Sequence, residues 1–90
     1  MIFRKRNRPF QKVDENSMVL VLSGNEKEIL TLNDTAFSIW ENCDGKNLEE
    51  IASYIIELYN LNKDKYFETV IADCDEITSY LLENGLIKSE

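Results

Sequence analysis

Histidine is absent from this ninety-residue chain, and with it the usual general base near neutral pH and the commonest metal ligand. Only two cysteines occur, Cys43 and Cys74, and they form no Cys-x-x-Cys pair, so a zinc site is all but excluded. Both fall at apolar phases of predicted helices, which favours two buried thiols over a disulfide. No Gly-rich phosphate loop is present, and no candidate for an activated nucleophile stands out. The acidic neighbours Glu49-Glu50 and Asp75-Glu76 point in different directions on a helix and read as solvated faces rather than acid/base pairs. We therefore expect no catalytic residue, no metal site and no cofactor. Long apolar runs are missing too. The longest β-like one, Met18 to Leu22, is far short of the ~20 residues needed to cross a bilayer. No signal-peptide core follows the basic start, so a cytoplasmic protein is expected.

Charge is unevenly spread. The chain carries 17 acidic and 10 basic residues for a net charge of −7. Residues 1–12 hold Arg4, Lys5, Arg6, Arg8 and Lys12 without a single acid. The remainder is strongly acidic and would repel a phosphate backbone, because nucleic-acid affinity rests on Lys and Arg displacing counterions. We read residues 1–9 as a basic N-terminal arm, most simply a solvated terminus, and residues 10–90 as one domain with a thin but sufficient core.

Within that domain the periodicity changes once. Gln11 to Asp14 reads as a short strand, Glu15-Asn16-Ser17 as a turn, Met18 to Leu22 as a buried strand and Lys27 to Leu32 as its hairpin partner across Ser23-Gly24-Asn25. Such a small sheet must have one face covered by the helices that follow. Asn33 or Asp34 can cap the first helix, whose Ala36, Phe37, Ile39, Trp40 and Cys43 recur at spacings of three and four. Trp40 is expected in the core, its indole N–H finding a carbonyl or water. Asp44-Gly45 ends that helix, and Asn47 with Glu50 forms an approximate capping box for a second, Leu48 to Tyr59. Asn60-Leu61-Asn62 breaks the second helix, and Asn62 caps a third that runs to Asn84. Its seam is Phe67, Val70, Cys74, Ile77 and Leu81. Ile71 and Leu82 widen the apolar face on one flank, and Tyr66, Asp73 and Tyr80 lie on the other. Gly85 suits a left-handed helix end, after which Leu86-Ile87 fold back. The fold class is thus α+β, a small antiparallel sheet of two or three strands followed by three helices.

The ordered set Leu30, Leu32, Asn33, Thr35, Ala36, Ile39 and Trp40 (L-x-L-N-x-T-A-x-x-I-W), then Asp44 to Ala52 (D-G-K-x-x-E-E-I-A), then Leu81 to Ile87 (L-L-E-N-G-L-I), resembles the PqqD family over about residues 10–88. The resemblance implies a winged-helix-like fold, a three-stranded antiparallel sheet followed by three helices. It also implies a non-catalytic peptide chaperone that binds the leader segment of a ribosomally made precursor peptide and presents it to a modifying enzyme, a radical-SAM protein or a leader peptidase. In the family the leader adds as a strand beside the third strand and lies against the third helix. Carried onto this chain, the implied contact residues are Lys27, Glu28, Ile29, Leu30 and Thr31 on the strand, and Val70, Ile71, Cys74, Asp75 and Thr78 on the helix.

Three rival readings compete. A winged-helix nucleic-acid binder shares the architecture, but the third helix carries Glu68, Asp73, Asp75, Glu76 and Glu83, with bases only at Lys63 and Lys65. An enzyme lacks its groups. A homodimer would use the same strand edge that accepts a peptide.

Overall fold

The computed structural model describes residues 1–13 and 18–90. Its elements are β1 (Phe3–Lys5), β2 (Phe10–Val13), β3 (Met18–Leu22), β4 (Ile29–Leu32), α1 (Asp34–Asn42), α2 (Leu48–Leu58), α3 (Lys63–Glu83) and β5 (Ile87–Ser89). Strands β2, β3 and β4 form one antiparallel sheet in that spatial order, followed in the chain by the three helices, so the α+β class holds. The first strand of this sheet was expected at Gln11 to Asp14 and begins one residue earlier, at Phe10; Asp14 and the expected turn Glu15-Asn16-Ser17 lie outside the described residues.

Each helix starts and stops by local chemistry. Asn33, Asn47 and Asn62 are the N-caps, each side chain accepting from the backbone N–H three residues on, and the Asn47–Glu50 capping box is complete in both directions. At the end of α3, Leu86 N–H donates to Leu81 O and Gly85 N–H to Leu82 O, with Gly85 at φ +72°. That is a Schellman ending. Helix α2 ends the same way, with Asn60 at φ +53° in the position Gly usually takes.

The sheet's core face carries Val19, Val21, Leu30 and Leu32, packed on Ala36, Ile39 and Trp40 of α1. Phe10 lies on this face opposite Val21 and closes an aromatic trio with Phe37 and Trp40, at centroid distances of 5.3 and 5.6 Å. Trp40 is fully buried and its Nε1 donates to the Leu86 carbonyl at 2.9 Å. The indole thereby ties α1 to the chain reversal after α3.

The N-terminal residues are bound into this body. Strand β1 pairs antiparallel with β5, and beyond the strands Ile2 and Glu90 exchange both backbone hydrogen bonds. On its other side β1 bonds the α1–α2 turn: Phe3 N–H donates to Lys46 O, and Gly45 N–H to Phe3 O. Phe3 is buried. The charges of the segment are matched locally, Arg4 with Glu90 and Asp44, Lys5 with Glu41, Arg8 with Glu26. Sequence reasoning expected a solvated arm here, because a three-residue strand has no periodicity to read and its partner lies at the far end of the chain.

Candidate functional site

Strand β4 is the edge of its sheet, with a neighbour on one side only among the described residues. Which backbone groups point to the free side follows from the ladder. Ser23 N–H donates to Glu28 O at 2.9 Å, and in an antiparallel pair hydrogen-bonded and non-hydrogen-bonded positions alternate. In the register Leu22↔Ile29, Val21↔Leu30, Leu20↔Thr31, Val19↔Leu32, the bonded pairs are therefore those of Leu30 and Leu32. The N–H and C=O groups of Ile29 and Thr31 face away from β3. The edge thus offers two donors and two acceptors at regular spacing.

Side chains share the same period of two. Leu30 and Leu32 are buried, whereas Ile29 is 70% exposed and Thr31 is exposed. The residues whose backbone is open to a partner are also those on the outer face of the sheet.

The turn before β4 sets where that edge begins. Ser23 is buried; its Oγ donates to Asn25 Oδ1 at 2.6 Å and accepts from Glu28 N–H, while Asn25 Oδ1 also accepts from Lys27 N–H. These side-chain bonds hold the N–H groups of Lys27 and Glu28 out of the ladder, so β4 starts at Ile29 rather than at Lys27 as the hydrophobic pattern suggested. Across the sheet, Pro9 has no N–H to give the Leu22 carbonyl opposite it. Arg8 Nε donates there instead at 3.3 Å, and Arg8 Nη2 donates to Ser23 O at 2.9 Å. The turn is also pressed against the end of α3: a Cβ on Gly24 would lie 2.7 Å from the Gly85 carbonyl oxygen. Arg8, Ser23 and the Gly24–Gly85 approach escaped the sequence reading, although Pro9 opposite an apolar strand was a signal that one carbonyl needed a donor.

The helix residues nominated from sequence are placed differently. Val70, Cys74 and Thr78 point into the core, 8, 1 and 2% exposed, with Thr78 Oγ1 returned to the Cys74 carbonyl at 2.9 Å. Burial pushes both the Cys43 and the Cys74 thiol up to about 11, with the Asp73 charge adding to the effect at Cys74. Ile71 and Asp75 open on a cleft with Met1, Phe3 and Leu48, to which β4 contributes nothing. Of the strand residues, Leu30 is buried, Lys27 and Glu28 are exposed in the turn, and Glu28 shares a depression with Leu82, Glu83 and Asn84. The five strand residues and the five helix residues do not surround one cavity.

Such an arrangement can pair with an extended chain. Among the described residues no three His, Cys, Asp or Glu side chains gather where they could hold a metal ion, and no helix is long and apolar enough to cross a membrane. A family model described as coenzyme PQQ synthesis protein D (PqqD) matches residues 18–87. The chain belongs to the PqqD family. Searches of curated proteins and of solved structures return no match. The PqqD match begins with β3 and takes in β4, the three helices and the start of β5, so the exposed edge lies inside it. Strands β1 and β2 precede it. Membership makes this a peptide-binding accessory protein of ribosomal peptide modification.

Proposed function

We propose that this protein binds the leader segment of a ribosomally synthesised precursor peptide as a fourth strand on β4 and presents the rest of that peptide to a modifying enzyme, a radical-SAM protein or a leader peptidase. The observation that carries the reading is the free edge of β4, with the N–H and C=O groups of Ile29 and Thr31 turned outward in a PqqD-family chain. Main-chain pairing supplies affinity for any extended peptide, and side chains beside the edge supply selectivity. The chemistry belongs to the partner enzyme; this chain orders the substrate. Leu30 anchors the edge from the core, Val70, Cys74 and Thr78 hold α3 in the core, and Lys27, Glu28, Ile71 and Asp75 remain towards the surface for peptide or enzyme.

Thr31→Pro tests this cleanly. Thr31 N–H faces away from β3, so the substitution removes a donor from the edge while every bond of the β3–β4 ladder stays in place. Titration calorimetry with a candidate leader should show binding weakened by about tenfold or more, the value of one lost main-chain bond plus the steric block. Unchanged affinity in a folded Thr31→Pro protein removes strand addition at β4.

A further inference from the structure

Because Ile29 and Thr31 face the outer side of the sheet, a strand added to β4 would extend the cross-strand rows already on that side. The register defines two of them. One row runs Pro9, Leu22, Ile29, and is apolar throughout; the next runs Gln11, Leu20, Thr31, and turns polar at the edge. Pro9, Leu20, Leu22 and Ile29 together line a shallow, mainly apolar depression on this side. Ile29 is 70% exposed, an unusual position for a β-branched apolar side chain, and it sits at the end of the apolar row, beside the place an added strand would take. Cross-strand neighbours on one face are the unit by which sheets choose partners, apolar beside apolar and Thr beside Thr or another polar β-former.

We infer that Ile29 and Thr31 read the docked peptide through the outer face of the sheet: the peptide residue beside Ile29 is a large apolar one, and the residue two positions away, beside Thr31, is polar, Thr or Ser above all. The residue between them faces the opposite side and lies outside this rule. This inference rests on the strand-addition reading and gives it a sequence signature, apolar-x-polar, in whichever direction the peptide runs.

The test is selection of a displayed library of random linear peptides on the full chain, repeated on Ile29→Glu and on Thr31→Pro, with circular dichroism to establish that each variant is folded. Peptides selected on the full chain should carry a Leu, Ile, Phe or Met two positions from a Thr or Ser and lose affinity on Thr31→Pro. On Ile29→Glu those peptides should bind roughly tenfold more weakly, and a new selection should replace the apolar residue by Lys or Arg while the polar position is kept. Peptides that need the edge, by their loss on Thr31→Pro, yet show no apolar position or keep it unchanged on Ile29→Glu, overturn the inference and leave strand addition standing. Peptides indifferent to Thr31→Pro overturn both.

Discussion

At the scale of single residues, chemistry here is withheld rather than supplied. Cys43 and Cys74 are the only thiols, and both are buried against apolar neighbours, which disfavours the thiolate and raises each to about 11. A raised thiol pKa means that the folded state holds its proton where the unfolded chain has lost it. The stabilising difference is therefore absent below about pH 9 and becomes a growing loss of stability as pH rises from 9 towards 11. The loss reaches roughly 2 kcal/mol per thiol at pH 11, taking one pKa unit as about 1.4 kcal/mol. Chemical denaturation at pH 8 and pH 10.5 should show this slope, and the Cys43→Ala, Cys74→Ala double variant should show a smaller one. Equal slopes would mean that the thiols titrate alike in both states.

At the scale of elements, the terminal strands are the unexpected part of the molecule. Strand β1 is bonded on both sides, to β5 and to the α1–α2 turn, and it delivers Phe3 to the core. The Arg4 ion pairs are half-exposed and contribute little, since exposed pairs lose in side-chain entropy and screening what they gain in attraction. The strap is held by an aromatic ring and by backbone. Phe3→Ala should accordingly cost about 3 kcal/mol by denaturant titration, whereas Arg4→Ala should leave the midpoint almost unmoved. The opposite ranking would show that charge, and not burial, closes the chain ends. Strand β4 is the reverse case, an element whose outer edge is left open. A second copy paired there would compete with a peptide, so sedimentation should show the dimer, where it forms at all, dispersed by leader.

At the scale of the whole molecule, the basic start and the acidic remainder fold onto each other. Arg4, Lys5 and Arg8 sit within 4 Å of carboxylates, so three of the five positive charges of residues 1–12 are locally matched while the net charge of −7 remains. Two outcomes follow from that field. Fluorescence anisotropy should find no binding to random duplex DNA even at low salt, because a net charge of −7 repels the phosphate backbone. Leader binding should weaken as ionic strength rises, by slower association, if the docked segment is flanked by Lys or Arg. Salt-independent association with such a peptide would remove the steering contribution.

The sequence by itself determined what local rules determine. The three Asn caps, the Asn47–Glu50 box, the Gly85 helix end and the apolar seam of α3 each act within a turn or two of chain, so they were legible before any fold was known. Trp40 could be placed in the core from its phase, and the motifs along residues 30–87 carried the family. Only the tertiary structure decided that Phe3–Lys5 closes on Ile87–Ser89, because pairing across nearly the whole chain leaves no local trace. Likewise only the ladder told Ile29 and Thr31 apart from Leu30. Sequence places all three on one strand, but which N–H groups remain free depends on the register with β3, a relation between two segments and a property of neither alone.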